Sequence, residues 1–245
     1  MKLRRLSDRA GVSLIELMIA LTAGGIVLAV TFHALSHFEQ RLGEQQGSMV
    51  RHQELRIGMR IVEDELRAAG SGASPAEAAI LKAEEQEVEF WANLSRLATT
   101  LTSQVSATQQ VLAVANGSGW RKGKRVVVCG TEQCAVSSLA QSGRRATLSL
   151  TSPLGLAFPA GSQVTVTNRV RYYLKRNGTG ENRLMRQIDG GAHLLISDVS
   201  WFRLTYFDSA GQPTTDAAEV ARVRVELAVG ADQQVVTKDL ALRGR

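Results

Sequence analysis

The chain has 245 residues, 44% of them hydrophobic and 21% charged, with a formal net charge of +6. That apolar share excludes a disordered chain, and the length leaves room for one sizeable core. Two cysteines and four histidines exclude a disulfide-dense scaffold and a cysteine-rich metal cluster.

Residues 1–11 carry Lys2, Arg4, Arg5 and Arg9 against Asp8, so without them the formal charge falls from +6 to about +3. The basic balance therefore gives no strong case for nucleic acid, and a basic flank of this kind holds an N-terminus in the cytoplasm. The run Gly11-Val12-Ser13-Leu14-Ile15-Glu16 comes next, and from 17 to 38 there is no Lys, Arg, Asp or Glu. That stretch is long enough for a helix to cross the roughly 30 Å hydrocarbon core of a bilayer. A cleaved secretory signal ending near Ala34-Leu35-Ser36 is the competing reading, but its apolar core would be about 7–15 residues long and would leave Glu16 unexplained. An unpaired carboxylate at the edge of the span costs a few kcal/mol, so Glu16 requires either an interfacial position or a cation brought from elsewhere.

Helix formers dominate to about residue 69 and no proline occurs before Pro75, which predicts one very long helix. Its span occupies 12–38 and its outer half 39–70. In the outer half Leu55, Met59, Val62, Leu66 and Ala69 share one face, a stripe expected to pack on the body, while Arg56, Arg60, Glu63 and Arg67 form a solvated face. Gly24-Gly25, Gly43, Gly47 and Gly58 each lower helix propensity by about 1 kcal/mol against alanine, and bending or local melting is expected there. Turn chemistry at 70–75 ends the helix, and a short second helix is expected over 76–83.

After this the period changes to that of strands, at 87–91, 110–115, 125–129, 146–150, 163–167, 169–175, 183–187, 199–207, 219–229 and 235–242, with a hairpin at Asn177-Gly178. The fold class is α+β: a long N-terminal helix, membrane-spanning in its first half, packed on the antiparallel sheet of a globular domain at 71–245. Cys129 and Cys134 are expected to form a short-loop disulfide in an oxidising compartment. No metal site is expected from two cysteines and His193, and no cofactor. With no G-x-S-x-G, H-E-x-x-H or phosphate loop, the chain does not read as an enzyme. A possible nucleic-acid patch at Arg121, Lys122, Lys124 and Arg125, with Trp120 for stacking, is the lesser reading of residues that strand hairpins commonly display to solvent. The acidic loop at 208–216 reads as a hairpin connection rather than a calcium loop. Trp201, Phe202, Tyr206 and Phe207 read as core or cross-strand pairs before an adhesive surface.

The run GVSLIELMIAL resembles the class III signal of type IV pilin-like proteins. The resemblance implies cleavage between Gly11 and Val12 by a prepilin peptidase and N-methylation of Val12, which stands where the family usually has Phe. It also implies pairing of Glu16 with the terminal amine of an adjacent subunit. The stretch at 64–70, the hairpin VRYYLKRNGTGENRLMRQ and the segment VSWFRLTYFDSAGQP are similar to the larger minor pilins of the PilW type, with a related plan in the J-type pseudopilin of type II secretion. The resemblance implies a structural subunit held in the inner membrane with its C-terminal domain in the periplasm, then extracted into a filament. Its partners would be the lipid bilayer, the prepilin peptidase, the inner-membrane assembly platform, other minor pilins and the major pilin. A priming role at the filament tip is expected, with a secretion pseudopilin, a tip adhesin or a DNA-uptake pilin as alternatives.

Overall fold

The computed structural model describes residues 13–178, 180–230 and 235–242. Helix α1 runs over Leu14–Arg67, opening where the Ser13 carbonyl accepts the N–H groups of Glu16 (3.0 Å) and Leu17 (3.1 Å). It continues through Gly24, Gly25, Gly43, Gly47 and Gly58, so the expected local melting at these glycines does not occur; the helix absorbs their propensity cost without a break. The chain divides into two compact units, Met1–Val50 and Arg51–Arg245.

Within the second unit the predicted stripe is the buried one: Leu55, Met59, Val62, Leu66 and Ala69 are all in a core with Phe90, Val170, Tyr172, Leu184 and Ile196. Arg56, Arg60 and Arg67 face solvent and Glu63 is half-buried, as expected of the opposite face.

The sheet against this stripe is organised by one 14-residue strand. Counting in chain order, β1 is Ile80–Glu84, β2 Glu87–Ala92, β3 Ala98–Thr100, β4 Val111–Ala113, β5 Arg125–Cys129, β6 Cys134–Ser138, β7 Thr147–Ser149 and β8 Gln163–Arg176. Then come β9 Asn182–Ile188, β10 Gly191–Ile196, β11 Val199–Phe207, β12 Arg222–Val229 and β13 Val236–Ala241. The first half of β8 pairs antiparallel with β3 and β5, and its second half with β2 and β9. Two sequence-predicted strands, 163–167 and 169–175, are thus one, because each residue of the strand finds a partner on at least one edge. Its first half supplies Val164 and Val166 to a second core around Trp120, Leu112, Val126, Leu148 and Phe158; its second half supplies Val170 and Tyr172 to the core under the helix. Strands β11, β12 and β13 form a separate antiparallel sheet that closes the first core through Phe202, Leu204, Val223 and Val225.

The helix expected over 76–83 is absent: turns lead into β1, which pairs with β2 across Glu85-Gln86. Ala-rich composition there favours helix only weakly, and the sheet edge offered by β2 overrides it. Strands β1, β3, β6 and β10 have no sequence-based counterpart.

Gly58 is required by close packing. A Cβ built on it would lie 2.4 Å from both Cδ1 and Cγ1 of the fully buried Ile196. Gly58→Ala should therefore destabilise the body by about 1–2 kcal/mol despite the helix-propensity gain, and Ile196→Val in the same chain, which removes Cδ1 but keeps Cγ1, should recover only part of the loss in a urea unfolding series.

Candidate functional site

The described start of the first unit is a helix that is apolar on every face. Leu14–Glu39 is long and apolar enough to cross a membrane and none of it is buried inside the protein. Leu14, Ile15, Leu21, Val27, Phe32 and Phe38 are each more than half exposed. A helix apolar all round has no aqueous side, and a surface of this extent demands lipid or other helices. The hydroxyls within the span fit the same solvent. Thr22 Oγ1 donates to the carbonyls of Met18 (3.0 Å) and Ile19 (2.9 Å), Thr31 Oγ1 to Val27 (2.8 Å) and Ser36 Oγ to Phe32 (2.6 Å). Each of these hydroxyl hydrogens is satisfied inside the helix, which hydrocarbon requires.

Glu16 stands in the first turn of this helix, exposed, with its own N–H bonded to the Ser13 carbonyl. The positive end of the helix dipole favours a carboxylate there. It is the sole acidic residue between Ser13 and Phe38, so its charge is presented at the head of an apolar rod. Gly11 and Val12, the expected processing residues, lie outside the described residues.

Among the described residues no group of three or more His, Cys, Asp or Glu side chains is placed to hold a metal ion. Cys129 and Cys134 are cross-strand partners at the β5–β6 turn and form a disulfide. The basic residues at 121–125 separate into two kinds. Arg121 and Lys122 are exposed. Lys124 Nζ is 2.5 Å from Asp189 Oδ2, and Arg125 donates to Glu77 (2.5 Å) and Thr167 (2.8 Å) with its guanidinium 4.1 Å from the Trp91 ring centre. Trp120 is 2% exposed, inside the second core, and so unavailable to stack on a base. Phe202, Tyr206 and Phe207 are buried and only Trp201 of that aromatic group faces solvent. The loop at 208–216 is closed by its own bonds, Asp208 N–H to the Gln212 carbonyl (2.9 Å) and Gln212 N–H to Asp208 Oδ1 (2.8 Å).

Two polar anchors carry no signal in the sequence. Glu65, on the helix, accepts from Tyr172 Oη and from Arg186 Nε (3.0 Å) and Nη2, tying α1 to β8 and β9. Burial first, and then the Glu65 carboxylate, push the Tyr172 phenol well above its ordinary value, so it remains a donor. Glu54 accepts from the Ser197 N–H (3.0 Å) and hydroxyl (2.8 Å).

Asp189 is a third junction. Besides Lys124 it accepts from Asn168 Nδ2 (2.8 Å) and the Arg169 N–H (2.8 Å). Burial pushes its carboxyl up, but these donors outweigh burial and hold it below the usual carboxylate value. A depressed folded pKa contributes stability that is present above the unfolded pKa and lost as pH falls through the folded one. Between about pH 5 and 3, thermal unfolding of the wild type should therefore lose about 1 kcal/mol more than Asp189→Asn. Asn is the fitting control because residue 189 has φ +49°, which Asn tolerates as Asp does.

Compared with known protein families, residues 6–32 match the prokaryotic N-terminal methylation motif, so the chain carries a type IV pilin-like signal at its head. Comparisons with curated proteins and with solved structures give no match.

Proposed function

We propose that this chain is a minor pilin, cleaved after Gly11, methylated at Val12 and built into a type IV pilus, where it helps prime assembly at the tip. The observation that carries this reading is the methylation motif at 6–32 set on a helix with an uncovered apolar surface and a carboxylate in its first turn. Such a helix serves twice, facing lipid before assembly and neighbouring helices afterwards, where close packing rather than the hydrophobic effect holds it. Cleavage would create an amine four residues before Glu16, at the membrane edge where no described side chain pairs with that carboxylate. In a stack of subunits the amine of one chain would meet the Glu16 of the next and fix the register by a charge-assisted hydrogen bond. The body would sit in the periplasm and then on the filament surface, and its size suits a rare position over a repeated one.

A J-type pseudopilin of a type II secretion system has the same chemistry and is the second reading. Mass analysis of the N-terminal peptide, from cells with and without prepilin peptidase, tests the shared premise: a methylated Val12 terminus only when the peptidase is present supports it, and an intact Met1 overturns it. A deletion strain separates the two readings. Loss of surface pili with normal protein export supports the minor pilin; failed export with normal pili supports the pseudopilin.

A further inference from the structure

Two of the four histidines stand one helical turn apart, in the last stretch of the apolar segment. The ring centres of His33 and His37 are 4.8 Å apart and their planes differ by 15°. The spacing of four residues puts both on one face, as in motifs where two imidazoles on adjacent turns hold one metal ion. Nitrogens on a shared ion at 2.0–2.1 Å stand roughly 3 Å apart, within reach of these two rings by side-chain rotation alone.

Their surroundings sharpen the point. From 17 to 38 these imidazoles are the only ionisable side chains, and the nearest hydroxyl, Ser36, is bonded to the Phe32 carbonyl. At 1.5 Å per residue His33 lies about 28 Å along the helix from Leu14, which sets the pair at the far boundary of a roughly 30 Å hydrocarbon core. Two polar rings in such a place need partners, and neutral imidazole is an intermediate-softness ligand suited to Zn2+, Ni2+ and Cu2+.

We propose that His33 and His37 form a two-imidazole binding site for a divalent transition-metal ion of this class at the outer end of the membrane helix, with water in the remaining coordination positions. The site belongs to a single chain: the membrane reading sets its depth, and filament assembly is not needed for it to bind.

The test is calorimetric titration of the full chain, free of any histidine tag and held in a non-ionic detergent, with Zn2+ and then Ni2+. Saturable binding is expected, weakened tenfold or more in His33→Gln and in His37→Gln and unchanged in His193→Gln, with helix content equal in all by circular dichroism. The combined change His37→Gln with Leu35→His keeps the histidine count but turns the second ring to another face, and should bind as weakly as His37→Gln alone. Absence of saturable binding, wild-type affinity in the position 33 and 37 variants, or full binding by the relocated pair would overturn the site. None of these outcomes bears on N-terminal processing or filament incorporation, which are measured separately.

Discussion

Replacing Glu65 with alanine is expected to cost about 3–5 kcal/mol of folding free energy, the range for breaking a desolvated ion pair from one side. Glu65 is the point at which the helix is tied to the sheet by charge. Its side chain is 12% exposed and that of Arg186 24%, so the pair is largely removed from water. Taking away the carboxylate leaves the Arg186 guanidinium without its counter-ion and the Tyr172 hydroxyl without its acceptor, in a core built from Leu66, Phe90 and Leu184. A guanidinium stays charged without a partner, so Arg186 must bear that loss.

Tyr172→Phe alone should cost about 1–2 kcal/mol, since it removes one hydrogen bond to a charged acceptor. In a chain already carrying Glu65→Ala the same change should cost close to nothing, because the hydroxyl has lost its partner. Urea unfolding of the detergent-solubilised chain, followed by tryptophan fluorescence, measures all four corners of this cycle. Additive costs would mean that Tyr172 and Glu65 do not act as a unit.

The contrast between Leu66 and Glu65 shows how much of the fold is legible in the sequence. Leu66 belongs to a spacing of four and three that any reading of periodicity recovers, and the stripe it completes is the buried one. Glu65 lies one residue earlier among the charges of a helix surface, and nothing local tells it from Glu63. Its partners are 107 and 121 residues away, so only the assembled sheet reveals it.

The strands divide in a similar way. Arg125–Cys129 and Val199–Phe207 match their expected boundaries because β-branched and aromatic residues are dense there. Strand β10 escapes the strand pattern although its hairpin has a sequence signature. Asp189 and Gly190, at φ +49° and +96°, form the tight turn that an Asp-Gly pair favours. Strand β1 has no such cue, since Glu85-Gln86 is not a turn signal and the preceding alanines point to helix. The membrane end of the site is legible because a charge-free run is itself the signal. The back-bonded Thr22, Thr31 and Ser36 hydroxyls need coordinates.

Glu16→Ala should reduce incorporation of the chain into filaments about a hundredfold while leaving the amount in the membrane and the processing at Gly11 unchanged. The magnitude comes from the physics of the proposed pairing. A hydrogen bond between an ammonium and a carboxylate is about twice as strong as a neutral one, and at the membrane edge no water competes for it fully. A loss of about 3 kcal/mol per junction is a factor of roughly a hundred in an equilibrium constant. Glu16→Gln keeps the shape and an acceptor oxygen but removes the charge, and should fall near the alanine variant. Glu16→Asp keeps the charge one methylene short of the amine and should recover part of the loss. Immunoblots of sheared filaments against membranes, with the N-terminal peptide mass as a control for processing, read the three variants side by side. If the uncharged variants enter filaments as the wild type does, Glu16 has no pairing role, and its place in the first turn is then accounted for by the helix dipole alone.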